Sequence, residues 1–393
     1  MTGGLPLEGL MVADFGRELL IPHTTCYLAW LGAEVIRVES RELPDVTRDR
    51  IKLRGLDINS GKLNLSLNLK RPEAVEVAKK LVGISDIVTE NYSPGTMAKL
   101  GLGYDELKKV KKDIIMVSGS GFGQTGPESK YRSYAGIFAS MGGLCHLTGY
   151  RDGVPTELRS SVDTMCSNLL AVSVLSALLH RRRTGEGQYI DFAARDAVVS
   201  LTGDVVVGYG LNGAVPGPQG NEDDLAGPHD CYPCQGEDEW ISIAVFNDEE
   251  WQALCKGMDA SELAADPRFR DLTGRVANRE ALDEAVSAWT RKHGAYGIMA
   301  KLQPLGVAAV PVMSSAQIFE DPHLKARGFV QETEHPTEGK VLYLGPPWRL
   351  ADGTPPIKWL GRDIGTSNEY VLKDLLGLNA AEIARLEETG ALA

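Results

Sequence analysis

Cysteine, histidine and positive charge are all in short supply in this 393-residue chain, and each shortage closes a class of function. Six cysteines (Cys26, Cys145, Cys166, Cys231, Cys234 and Cys255) are too few and too scattered for a disulfide framework, so a reducing, cytoplasmic setting is expected. Seven histidines do not cluster, and no metal centre is expected. The net charge of −12 excludes general nucleic-acid binding and leaves room only for a local basic pocket. No unbroken apolar run reaches the length of a bilayer span, and Met1-Thr2-Gly3-Gly4-Leu5-Pro6 lacks the basic start and apolar block of a signal peptide; no membrane partner is expected. Internal repeats, a G-x-S-x-G elbow and a Walker loop are also missing.

What is present is an alternation. Short apolar runs at residues 10–15, 34–39, 63–67, 86–90, 113–118 and 189–192 read as strands. Helical spacing separates them at 21–32, from Pro72 onward, and along the long stretch after Asp163. Strands alternating with helices imply an α/β fold whose parallel sheet is covered on both faces. Residues 211–228, rich in Gly, Pro, Asn and Asp, read as a linker. Beyond it, strands at 240–245 and 307–313 and helices at 248–258, 279–291 and 296–305 describe a smaller α+β domain. A hairpin over 329–348 and a helical segment over 367–389 close the chain. The expected division is a large Rossmann-like domain at 1–210 completed by 326–393, a linker at 211–228, and the small domain at 229–325.

Three local motifs invite stronger readings than they support. Gly121-Phe122-Gly123-Gln124-Thr125-Gly126 has dinucleotide spacing, but Pro127 and a polar loop follow where a helix must open onto the pyrophosphate. A ligand-lining loop or a plain turn fits better. Cys231-Tyr232-Pro233-Cys234 has no second cysteine pair and precedes a strand, so it reads as a hairpin rather than a redox or zinc site. Arg181-Arg182-Arg183 before Gly185 reads as the solvated end of a helix.

Asp163 opens that helix. A carboxylate there is favoured by the helix dipole, and it serves either as a cap or as an ionised nucleophile.

Several segments in order resemble the class III CoA-transferases, the formyl-CoA and carnitine CoA-transferase family. They are Ala13-Asp14-Phe15-Gly16-Arg17, Leu31-Gly32-Ala33-Glu34-Val35-Ile36-Arg37-Val38-Glu39, Leu67-Asn68-Leu69-Lys70, Glu90-Asn91-Tyr92-Ser93-Pro94-Gly95, Gly121-Phe122-Gly123-Gln124-Thr125-Gly126-Pro127, Arg182-Arg183-Thr184-Gly185-Glu186-Gly187-Gln188 and Asp321-Pro322-His323-Leu324. The resemblance runs nearly end to end. It implies that Asp163, which follows Thr148-Gly149-Tyr150-Arg151-Asp152-Gly153-Val154-Pro155 and lies 29 residues after Tyr134, is the catalytic nucleophile. It further implies CoA contacts at Arg17, Leu67, Leu69, Lys70, Asn91, Tyr92, Lys99, Arg132 and Tyr134, with Arg41 substituting for an arginine that would fall at Ser40. Leu19 departs from a glutamine of formyl-CoA transferases.

The implied reaction is reversible transfer of CoA between an acyl-CoA, such as succinyl-CoA, and a carboxylic acid, through an aspartyl anhydride and an aspartyl-CoA thioester. No permanently bound cofactor is implied; the CoA thioester is substrate. Leu19, Leu20 and Ile21 suggest a bulkier acceptor, such as an aryl-substituted succinate. The resemblance also implies an interlocked homodimer, or a heteromer with a related subunit. An alternative within the same family, α-methylacyl-CoA racemisation, needs a histidine base where Tyr134 stands.

Overall fold

The computed structural model describes residues 4–49, 57–158, 161–335, 339–351, 353 and 355–393. The chain divides into two compact units. The larger comprises Met1–Cys145, Glu157–Val215 and Pro322–Ala393; the smaller comprises His146–Thr156 and Pro216–Asp321. The segment His146–Thr156, not set apart by the sequence pattern, thus groups with the smaller unit.

The larger unit is built on six parallel strands: β1 (Met11–Asp14), β2 (Glu34–Glu39), β3 (Leu63–Ser66), β4 (Ile87–Glu90), β5 (Ile115–Ser120) and β6 (Tyr189–Ala193), in the order β3-β2-β1-β4-β5-β6. Alternation along each strand divides the core. Ala13, Ile36, Leu65, Val88 and Met116 join one apolar cluster, while Val12, Val35, Ile87, Ile115 and Val117 join the other. A strand apolar on both faces must be covered on both. Helix α1 (Leu20–Trp30) covers one face through Leu20, Ile21 and Leu28. Helix α2 (Pro72–Ile84) covers the other through Ala74, Val77, Ala78 and Leu81. Pro72 starts α2 without losing a hydrogen bond, and Glu73 in its first turn suits the dipole.

Helix α3 (Ala135–Met141) is short. Helix α4 (Ser161–Thr184) runs 24 residues and packs Val162, Cys166, Leu170, Val174 and Ala177 beside α1. By length and composition α4 is apolar enough to cross a bilayer, although Ser167, Asn168, Ser173 and Ser176 interrupt its apolar run. Its buried stripe at three- and four-residue spacing instead faces the sheet. The arginine run at its end is also not simply solvated: Arg181 Nη2 donates to Asp86 Oδ1 at 2.8 Å, tying the helix to the start of β4. Gly185, at φ +77°, ends the helix through its N–H to the Arg181 carbonyl. Helices α5 (Ala194–Leu201) and α6 (Gly203–Asn212) follow β6. The sequence pattern missed both; α6 reaches Asn212, inside the expected linker, and buries none of its residues, so it has no readable stripe.

In the smaller unit β7 (His229–Pro233), β8 (Trp240–Ala244) and β9 (Ala308–Pro311) form an antiparallel sheet. Cys231 lies on β7 and Cys234 in the β7–β8 hairpin. The core here gathers Trp251, Leu254, Phe269, Leu282 and Ile298. Back in the larger unit, β10 (Val330–His335) pairs with β11 (Gly339–Leu344); the turn of this hairpin, 336–338, lies outside the described residues. The C-terminal segment is broken, where the sequence suggested one helical run. Gly377 adopts φ +67°, and Asn379 then caps a new helix (Ala380–Glu388) in a reciprocal pair with Glu382.

Leu170 is fully buried between α4 and the sheet. Leu170→Ala is expected to destabilise the protein by about 3 kcal/mol, read as a lower denaturation midpoint with an unchanged slope.

Candidate functional site

In an open parallel sheet, ligands bind beyond the strands' carboxyl ends, where the strand order reverses. Here the order reverses between β1 and β4. Arg17 follows β1, Leu67 to Lys70 follow β3, Asn91 and Tyr92 follow β4, and Gly121 follows β5. Arg17, the Leu67–Lys70 segment and the Asn91–Tyr92 pair are far apart in sequence because they sit just past the ends of three different strands, whereas Arg132, Tyr134 and Asp163 come from the loop and helix that follow β5.

The end of β1 is organised by Asp14, which is fully buried. Its carboxylate accepts from Thr25 Oγ1 at 2.6 Å, from the Gly16 N–H at 2.8 Å, from Lys62 Nζ at 3.1 Å and from Thr89 Oγ1 at 3.2 Å. Burial by itself would raise this carboxyl, but the cations of Lys62 and Arg37 outweigh it and hold it below the usual carboxylate range. Gly16 cannot be replaced at this turn without displacement, since a Cβ would lie 2.2 Å from Ile21 Cγ2. Beyond it, the Arg17 N–H donates to Asn91 Oδ1 at 2.7 Å and Asn91 Nδ2 donates back to the Arg17 carbonyl at 2.8 Å. This reciprocal pair locks the loop after β1 to the loop after β4.

Two cavities open here. One, of about 390 Å³, is walled by Arg17, Asn91, Tyr92, Arg132, Tyr134 and Asp163 among others. The second, of about 290 Å³, is walled by Leu67, Leu69 and Lys70, and shares Arg17 and Tyr92 with the first. Nine of the eleven residues singled out in the sequence therefore lie on these walls. Arg41 and Lys99 do not. Arg41 is exposed and donates to the Ile364 carbonyl at 3.3 Å, and Lys99 is exposed at the end of a short helix, Thr96–Lys99. Ser40 does line the second cavity.

Asp163 sits inside the first turn of α4, not ahead of it. Its carbonyl accepts from Ser167 Oγ at 2.7 Å, and Ser167 also donates to the Leu20 carbonyl at 2.8 Å, which pins this turn to α1. Cys166, the nearest thiol in sequence, is pushed up to about 12 by burial and by the Asp163 charge, so it does not supply a thiolate. His23 lies at 3.4 Å from Thr164 Oγ1, but burial, reinforced by Lys62, lowers it to about 4 and keeps the ring neutral.

The remaining wall is a loop held onto the sheet by one glycine. A Cβ on Gly121 would lie 1.8 Å from Ser133 Oγ, so the loop carrying Lys130, Arg132 and Tyr134 reaches the end of β5 only because residue 121 has no side chain. Gly123 and Gly126 adopt φ +81° and +91°, so the glycine spacing serves turns. Phe122 packs edge-on to Tyr131 at 6.0 Å and lies under the Arg195 guanidinium, whose ion pair with Glu128 anchors the same loop. Lys130, Glu18 and Ser120 also line the first cavity and were missed in the sequence. The polar run at 128–133, which argues against a nucleotide loop, is also the sequence signal for Lys130.

Residues 7–363 match the sequence profile described as CoA-transferase family III. The chain is 32% identical over 390 residues to a succinyl-CoA–D-citramalate CoA-transferase of Chloroflexus aurantiacus, covering 97% of each chain. It is 35% identical over 366 residues to a succinyl-CoA:mesaconate CoA-transferase of Haloarcula marismortui, covering 89% of this chain and 91% of that one. A solved CaiB/BaiF family protein from Brucella suis superposes with a TM-score of 0.87 at 30% identity, over 95% of this chain and all of that one. The chain belongs to CoA-transferase family III. It is an enzyme of that class.

Two outcomes are expected at this site. Gly121→Ala should raise KM for acyl-CoA about tenfold, equivalent to about 1.4 kcal/mol, and a second change, Ser133→Gly, should recover most of the loss in steady-state assays. Glu90 is buried at the end of β4 and holds the Tyr92 N–H at 2.7 Å. Burial raises its carboxyl to about 7, against the opposing bonds from Ser118 and Tyr92. The folded state therefore binds this proton more tightly than the unfolded state. Its contribution is complete below the ordinary carboxyl range and is lost as pH rises to about 7, a change of about 3 kcal/mol. Denaturant titrations across that window should show a shallower decline in stability for Glu90→Gln than for the wild type.

Proposed function

We propose that this enzyme moves CoA reversibly between succinyl-CoA and a dicarboxylic acid, using Asp163 as a covalent nucleophile. The observation that carries this reading is Asp163 itself: a carboxylate in the first turn of a long helix, on the wall of a cavity that also presents Arg17, Lys130 and Arg132. The helix dipole favours the ionised form of such a carboxylate. An Asp163 oxygen attacks the thioester carbonyl and CoA thiolate departs, leaving a mixed anhydride. The thiolate then attacks the aspartyl carbonyl, giving an aspartyl-CoA thioester and releasing the donor acid. The acceptor carboxylate attacks that thioester, and the steps reverse to yield the new acyl-CoA. Arg17 and Tyr92, common to both cavities, suit a path along which the pantetheine reaches from Leu67, Leu69 and Lys70 toward Asp163. The strand order supports a Rossmann-like reading of the larger unit with CoA across its crevice.

Relatives named for D-citramalate and mesaconate support a dicarboxylic acceptor. An aryl-substituted succinate belongs to the same class, and Leu19 and Leu20 on the wall of the first cavity supply an apolar surface for such a group. Racemisation is not favoured: Tyr134 stands at the base position and is largely exposed, and His23 is too weakly basic. A second copy of the chain is the proposed partner. Helix α6 buries nothing of its own and exposes the apolar side chains Val206, Val207, Tyr209 and Leu211, which a dimer would cover. Six unpaired cysteines, five of them buried, suit a cytoplasmic enzyme.

Intact-protein mass analysis after incubation with succinyl-CoA should show an adduct in the wild type and none in Asp163→Ala. Hydroxylamine should trap the adduct as a hydroxamate at Asp163. Transfer should fall on the order of a thousandfold or more in Asp163→Asn. Undiminished transfer by either variant sinks the proposal. A panel of acids assayed with succinyl-CoA identifies the acceptor, and exclusive use of monocarboxylic acids would overturn the dicarboxylic assignment.

A further inference from the structure

Among the described residues, three that are not glycine adopt left-handed backbone: Glu18, Asp238 and Asp259. Only Glu18 lines a described cavity, and it is the cavity that holds Asp163. Residues held in such backbone regions concentrate at functional sites, where the surroundings enforce the conformation. The enforcement is visible here. Glu18, at φ +58°, donates its N–H to Asp45 Oδ2 at 2.7 Å. Asp45 is itself buried and held by Arg37 Nη2 at 2.8 Å, the Thr47 N–H at 2.9 Å and Thr47 Oγ1 at 2.8 Å. On the other side, the Arg17 backbone is clasped by Asn91. The chain is thus pinned before and at Glu18, and a bulky acidic residue is kept where glycine would be easier.

The Glu18 carboxyl, half-buried, takes part in no hydrogen bond with any described residue. The chemistry of the class brings a carboxylic acid into the enzyme, and the proposed nucleophile sits on the same cavity wall. Two carboxylates cannot approach closely unless one carries a proton. We propose that Glu18 binds the carboxylic acid substrate, its protonated carboxyl donating an O–H to a carboxylate of the incoming acid so that the two share one proton. No covalent bond changes in this contact. Burial and the neighbouring Asp45 charge raise the Glu18 carboxyl, and Arg17 opposes them. Other charged or titratable groups on the wall are Lys130, Arg132, Asp163, Tyr92, Tyr131 and Tyr134.

The inference rests on the proposed transfer of CoA to an acid, and its test separates the two. Steady-state KM for the acceptor acid is measured with saturating succinyl-CoA from mildly acidic to mildly alkaline pH, in the wild type, Glu18→Gln and Glu18→Ala. The Asp163 adduct is measured in parallel from succinyl-CoA. In the wild type, KM for the acid should climb as pH rises, because the shared proton is lost and two anions then face each other. Glu18→Gln keeps a donor at every pH, so its KM should lie near the wild-type acidic value and stay flat. Glu18→Ala should raise KM about tenfold or more at acidic pH. All three should form the adduct, which also reports an intact fold. An adduct that forms normally, with a flat wild-type KM or with Glu18→Ala binding the acid as well as the wild type, overturns the role of Glu18 and spares the nucleophile. A wild type that forms no adduct overturns the covalent reading itself.

Discussion

The ion pair between Asp14 and Lys62 is the constraint on which the site depends. Neither partner touches solvent to any useful extent, at 0% and 1% exposure. Removing one charge from such a pair strands the other in a medium that solvates it poorly, at a cost of about 3–5 kcal/mol. Asp14 can stay ionised only if the start of β3, the second turn of α1 and the end of β4 all come to it. Lys62 arrives from the first, Thr25 from the second and Thr89 from the third. Lys62 also donates to the Pro22 carbonyl at 2.7 Å, which ties α1 in place a second time. The chain leaving β1 must then turn sharply through Gly16, and Arg17 emerges at the place where the strand order reverses.

A second buried network extends the same logic to the other cavity. Arg37, on β2, sits between Asp45 at 2.8 Å and Glu39 at 3.1 Å, and Glu39 also accepts from Arg48 Nε at 2.8 Å. Burial opposes the charge on Glu39, and the two guanidinium groups more than offset it, keeping the carboxyl low. These groups contribute little to net stability beyond what apolar replacements of equal volume would give. What they supply is position, because hydrogen bonds between charged groups are directional where apolar contacts are not. The sheet is therefore apolar along its two faces and ionic at its carboxyl edge, and the cavities open along the ionic edge.

Much of this was legible in the chain. The strands at 34–39 and 86–90 stand within a residue of their expected limits, because runs of β-branched residues bounded by turns have few alternative readings. Arg17, Asn91, Tyr92, Arg132, Tyr134 and Asp163 are each implied by the resemblance to the CoA-transferase family, and one cavity gathers all six. Helix α6 was not legible, since it buries none of its residues and so carries no amphipathic stripe; α5, which buries Ala194, Ala197 and Val198, was missed although it carries one. Arg181 was misread as a solvated cap because nothing local to it reveals Asp86, ninety-five positions away. Arg41 offered a cation at nearly the right place in the sequence, yet it lies off both cavities beside the Ile364 carbonyl.

Local pattern along the chain was enough to set the alternation of strand and helix, the two-faced parallel sheet and the presence of an acidic residue in the first turn of α4. These follow from local periodicity, glycine and proline placement, and charge at helix ends, all of which act between near neighbours. Long-range packing set which loops meet at the carboxyl edge, that Gly121 must lack a side chain to let Ser133 approach, and that Glu18 is held in left-handed backbone by Asp45. Those outcomes depend on contacts between segments distant in the chain, formed only once buried charges have found their partners, and no local pattern of residues encodes them.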